Sequence, residues 1–171
     1  MKKLSFVVGS AYTALLALII VCIDLSIKQF MPIGAEDGLV YIAFVAWAVY
    51  FFAGCTLKGG IRAAIGYVVG ISFSIIIILL ADLFSFAGDF AVPLCCFIVV
   101  FPILFLEKVP WIDLIPAMFI AAGSYFGIMT YIPEATLGTA AYVELLYGFI
   151  GLLFGWITIT GKGYLAKAIE K

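Results

Sequence analysis

Six apolar stretches, 4–27, 39–56, 61–84, 90–106, 111–132 and 141–160, fill most of this chain, and its charged residues gather at or near their ends. A helix needs roughly 20 apolar residues to cross a hydrocarbon core about 30 Å thick, and each stretch is close to that length. Lipid offers backbone groups no partner, so a chain that enters it must close its own hydrogen bonds, as a helix does. Barrel strands would be about 10 residues long with strict alternation, and these runs lack it. Composition agrees: 67% of the residues are hydrophobic and 11% charged, against about half and a quarter in soluble domains. The expected fold is all-α, a polytopic bundle of six transmembrane helices forming a single transmembrane domain over 1–171.

Basic residues set the expected orientation. With an even number of crossings both termini share one side, which holds Lys2, Lys3, Lys58, Arg62, Lys108, Lys162, Lys167 and Lys171. The other side holds only Lys28, with the acidic Glu36, Asp37, Asp89 and Glu134 in its loops. The positive-inside rule then places both termini in the cytoplasm. The opening "MKKLSFVVGS" reads as a retained first helix, because its apolar run is too long for a cleaved signal and no small-x-small site follows suitably.

Several chemistries lack their residues. The chain has no histidine, the usual acid–base group near neutral pH and the commonest metal ligand. Cys22, Cys55, Cys95 and Cys96 form no C-x-x-C pair and lie in apolar runs, where cysteine packs as a small apolar residue. No phosphate-binding, zinc-protease or dinucleotide motif appears. The expectation is a protein that is not an enzyme, with no cofactor, no metal and no nucleic-acid partner. Its surroundings are the lipid bilayer, with a small solute as possible cargo.

Within a bilayer, helices associate through close backbone approach at small residues. Gly66 and Gly70, Gly123 and Gly127, and Gly151 and Gly155 are each spaced by four, in three different runs. They are the candidate packing stripes, within one chain or between copies of a homo-oligomer.

Charge at membrane depth points to function by default. Asp24 lies near the outer end of the first run with Lys28 four residues on, so it is either half of an interfacial pair or part of an outer vestibule. Asp82 ends the third run, where the helix dipole disfavours it; it sits in interfacial water or in an acidic funnel with Asp24 and Asp89. Glu144 reads as a carboxylate in the first turn of the sixth helix. In "EKVPWIDLIPAM", Pro110 suits a first turn, Trp111 an interfacial belt, and Asp113 the positive end of the dipole. Pro116 would then kink the helix and free the Ile112 carbonyl. Pro93 and Pro102 interrupt the preceding run, and proline-broken spans are the best sequence pointer to a transport site. Trp47, Tyr50 and Phe51 share a helix face, either packing or forming an aromatic constriction. The candidate solute path therefore runs over Asp24, Asp82 and Asp113, over Pro93, Pro102 and Pro116, and past Trp47 and Phe51.

The stretch "FVAWAVYFFAGCTLKGGIRAAIGYVVGI", residues 44–71, resembles the W-A-x-Y-F-A-x-G signature of a small bacterial inner-membrane family known as a domain of unknown function. The resemblance implies a multi-pass protein of the bacterial inner membrane and weight on Trp47, Phe51 and Gly54. It implies no reaction. The leading functional expectation is a channel, facilitator or transporter for a small uncharged solute. An ion-coupled variant would use Asp24, Asp82 or Asp113 as the ion ligand. The other expectation is a structural or regulatory membrane subunit that docks a partner protein.

Overall fold

The computed structural model describes residues 2–33 and 38–170, and every regular element among them is helical. The helices are α1, Lys2–Ile27; α2, Val40–Phe52; α3, Leu57–Leu83; α4, Ala91–Ile103; α5, Ile115–Tyr131; and α6, Leu137–Glu170. Short 3-10 turns lie at Lys28–Phe30, Ser85–Phe90 and Leu104–Lys108. Glu36, Asp37 and Lys171, named above for their charge, lie outside the described residues. The chain is thus all-α. Four segments, Leu4–Phe30, Leu57–Leu83, Ser85–Lys108 and Leu137–Ile169, are long and apolar enough to cross a membrane. The apolar α2 and α5 are shorter, 13 and 17 residues, or about 20 and 26 Å at 1.5 Å per residue. Phe6, Phe86 and Phe97 are 76%, 82% and 70% exposed, an outer surface that suits hydrocarbon better than water.

Local chemistry sets the helix ends. α2 stops at a Schellman motif: Gly54, at φ +95, donates its N–H to the Phe51 carbonyl, and Cys55 donates to Tyr50. A left-handed residue is needed there, and glycine adopts that conformation without a Cβ penalty. Thr56 then caps α3, its hydroxyl accepting from the Gly59 N–H at 3.0 Å. α3 therefore starts at Leu57, four residues before the expected 61, and takes in Lys58 and Arg62.

α5 corrects the reading of the Pro110–Pro116 stretch. Val109 is extended and Trp111 sits at φ +74, so a turn occupies the region where the helix was expected to begin. Neither Pro110 nor Asp113 lies in a first helical turn. The helix starts at Ile115 with Pro116 in that turn, where a missing N–H leaves no bond unmade. The kink expected at Pro116 is therefore absent. Pro93 likewise lies in the first turn of α4, and Pro102 stands inside α4 one residue before its end.

The chain divides into two compact units, residues 1–60 with 146–171, and residues 61–145. In the second unit α3 and α5 lie side by side. A Cβ on Gly66 would stand 2.9 Å from that of Ala117, and one on Gly70 would strike the Met118 carbonyl and Ala121. Arg62 meets Asp113 at one end and Phe73 meets Phe119 edge-on further along, so the two helices run parallel. α4 joins their core through Cys95 and Val99, against Phe73, Ile77, Met118 and Ala122. Its opposite side carries the exposed Phe97 and Phe101, stacked on each other, and the exposed Phe105 of the following 3-10 turn stands edge-on to Phe101.

In the first unit, Gly151 presses on the backbone of Ala43, Gly155 on Tyr50, and Trp47 stands edge-on to Phe154 at 5.7 Å. α2 and this part of α6 therefore run parallel. α1 runs antiparallel to α6, with Tyr12 donating to the Ile157 carbonyl at 3.2 Å and Asp24 held by Tyr147.

Two of the three glycine stripes thus bring helices together. The third does not: nothing lies within 4 Å of a Cβ placed on Gly123 or Gly127. α5 turns Ala117 and Ala121 to α3, and Gly123 follows Ala121 by two residues, roughly 200° round the helix.

The Arg62–Asp113 pair spans 2.7 Å with side chains 28% and 30% exposed. Partly hydrated pairs contribute about 1 kcal/mol at most. Arg62→Ala should therefore shift the unfolding midpoint of the detergent-solubilised protein only slightly.

Candidate functional site

α6 begins earlier than its apolar run. Thr136 accepts the Thr139 N–H at 3.2 Å, and its own N–H is bonded by the Thr139 hydroxyl at 2.9 Å. This is a reciprocal cap of the capping-box kind with threonine in place of the usual acid. It starts the helix at Leu137, so Glu144 lies about 10 Å inside at 1.5 Å per residue. The expected first-turn carboxylate is instead an interior one.

Glu144 has 0% exposure, and neither carboxyl oxygen has a hydrogen-bond partner. Its carboxyl interacts electrostatically with two tyrosines of the same unit, Tyr67 of α3 and Tyr125 of α5. Both are wholly buried. The Tyr67 hydroxyl is unpartnered like the carboxyl, whereas the Tyr125 hydroxyl donates to the Leu137 carbonyl at 2.9 Å. A buried polar group without a partner costs about 1–3 kcal/mol, and a charged one more. Packing alone gives no reason to retain two such groups in one neighbourhood.

Asp24 shows the opposite arrangement. It is 3% exposed, and its Oδ1 accepts from the Tyr147 hydroxyl at 2.6 Å and from the Leu39 N–H at 3.3 Å. Leu39 is the residue that caps α2. Gly38, at φ +77, lies against the same carboxyl so closely that a Cβ would strike it. Asp24 thus ties α1 to α6 and to the start of α2, a satisfied structural role.

The other sequence candidates separate. Asp82 is exposed in the last turn of α3, and Asp113 is held by Arg62. Pro93, Pro102 and Pro116 are exposed. Trp47 is buried between Phe44 and Phe154 with its indole N–H unpartnered, and Phe51 is 38% exposed beside Tyr50. Among the described residues no three His, Cys, Asp or Glu side chains come together as a metal site. Tyr67, Tyr125 and the depth of Glu144 escaped the sequence reading; the Thr136–Thr139 cap was the signal for that depth.

A family model described as a protein of unknown function (DUF1097) matches residues 12–158. The chain belongs to the DUF1097 family. The match takes in the stretch on which the resemblance to a family of unknown function rested, and it covers α2 to α5 entirely. Tyr67, Tyr125 and Glu144 all fall within the DUF1097 region, as do Asp24 and Tyr147. No curated protein and no solved structure matches the chain.

Proposed function

We propose that this DUF1097 protein is a facilitator or transporter for a small uncharged solute. In this reading it crosses a bacterial plasma membrane six times with both termini in the cytoplasm. It works as a homo-oligomer, without a cofactor and without catalysing a reaction. The observation that carries the transport reading is the buried and unpartnered pair Glu144 and Tyr67. Ionisable groups at membrane depth are costly, and they mark solute or ion pathways by default.

Helix directions support six crossings. Alternate crossing makes α2 and α6 parallel, α3 and α5 parallel, and α1 and α6 antiparallel, and the contacts within each unit run that way. Open space over Gly123 and Gly127 supports association of copies through α5.

The test is uptake of a panel of labelled small uncharged solutes, polyols and short amides among them, by vesicles containing the purified protein. At least one solute should enter faster than into empty vesicles, and Glu144→Ala should lose that advantage. Equal entry of every solute into loaded and empty vesicles would sink the reading.

A further inference from the structure

We infer that Glu144 is a proton-exchange site, whose carboxyl takes up and releases one proton as solute passes. The coupling half of this inference rests on the transport reading above; the site itself rests on geometry.

A carboxyl with 0% exposure and no hydrogen-bond partner has to have its charge balanced by something small. Among the described residues no basic side chain bonds its carboxyl oxygens; Arg62 in this unit is paired with Asp113. Tyr67 on α3 and Tyr125 on α5, both buried in the same unit, are the titratable groups that interact electrostatically with it. Asp24 shows how this protein holds a carboxylate it keeps for structure, with two donors on one oxygen. Glu144 is given none.

The donor set decides what balances the charge. Hard metal cations take about six oxygen ligands or more. Among the described residues no three His, Cys, Asp or Glu side chains gather to form a metal site, at Glu144 or elsewhere, the Tyr125 hydroxyl is engaged with Leu137, and helical carbonyls are spent on their own ladder. A proton needs a single oxygen. The exchange balances simply: the carboxylate takes a proton from water on one side to become the acid, and the acid returns it to water on the other. No electron moves and no other bond breaks. Tyr67, whose buried hydroxyl has no hydrogen-bond partner, is the group we assign to relay that proton. Tyr125 extends the polar step to Leu137 at the start of α6.

The experiment uses the full chain in lipid vesicles. A pH jump is followed by infrared difference spectroscopy, which reads the C=O stretch of a protonated carboxyl. A separate sample is labelled with a hydrophobic carbodiimide, which adds to protonated carboxyls in apolar surroundings, and mapped by mass spectrometry. The wild type should show an exchanging carboxyl band that is lost in Glu144→Gln and shifted but retained in Tyr67→Phe. Its carbodiimide adduct should lie on Glu144 and disappear in alkaline medium. Identical difference spectra for wild type and Glu144→Gln would overturn the site. So would the absence of an adduct on Glu144 at any pH, a measurement that needs no variant. Exchange at Glu144 without uptake of any solute would support the site and overturn the transport reading. Uptake indifferent to an imposed pH gradient, with no exchange at Glu144, would overturn the site and leave transport standing.

Discussion

Asp24→Ala is expected to destabilise the unit of α1, α2 and the later part of α6 by about 2–4 kcal/mol, more than any other single loss of a polar contact in it. The carboxyl oxygen serves two donors on different elements, the Tyr147 hydroxyl on α6 and the Leu39 N–H at the start of α2. Alanine orphans both, and a buried donor left without an acceptor costs about 1–3 kcal/mol. Hydrogen bonds between membrane helices average nearer 0.6 kcal/mol, because the unfolded chain in lipid finds other partners. That average describes neutral bonds between helices. Here one bond is short, and the other holds a helix start, so losing both leaves two buried donors unmet and raises the figure. Gly38 lies against the same carboxyl, so the connector loses its seat as well. Asp24→Asn keeps an oxygen acceptor and should lose about half as much. Unfolding of the three proteins in mixed detergent micelles reads this directly. A midpoint for Asp24→Ala equal to the wild type would show that Tyr147 and Leu39 find other acceptors and that the contact is incidental.

The same residue shows where sequence reading stops. Spacing along a helix reveals Lys28 four residues from Asp24, because such neighbours share a face. It cannot reveal Tyr147, which lies 123 residues away. Apolar run length was enough to expect helices, since lipid leaves the backbone few alternatives. The ends of those helices were harder to read, because caps are made by polar residues that look like loop. "TLGT" reads as a connector, yet Thr136 and Thr139 cap α6 and put Leu137 and Gly138 in its first turn. That shift alone turns Glu144 from a helix-start carboxylate into an interior one. Pro116 fails for the mirror reason. Its helix begins four residues later than the apolar run, so a proline expected mid-helix sits where the missing N–H has no consequence.

Gly151→Leu is expected to be the most damaging glycine substitution, while Gly123→Ala should leave folding unharmed. Both glycines belong to small-xxx-small pairs and were indistinguishable by spacing. At Gly151 a new Cβ would strike the Ala43 carbonyl and stand 2.7 Å from the Ala46 Cβ. The obstacle is backbone, which cannot rotate away as a side chain can, so α2 and α6 must separate. Overpacking costs about 1–3 kcal/mol where side chains can yield; a leucine against backbone should exceed that range, and even alanine should fall within it. At Gly123 a Cβ meets nothing within 4 Å, and alanine gains about 1 kcal/mol of helix propensity over glycine. Unfolding midpoints should therefore move in opposite directions for Gly151→Ala and Gly123→Ala. If copies of the chain meet along α5, Gly123→Leu should also lower the oligomer's mass in native mass spectrometry while the monomer stays folded. Equal losses at the two positions would mean that the contact of α2 with α6 is looser than the packing of Gly151 on Ala43 describes.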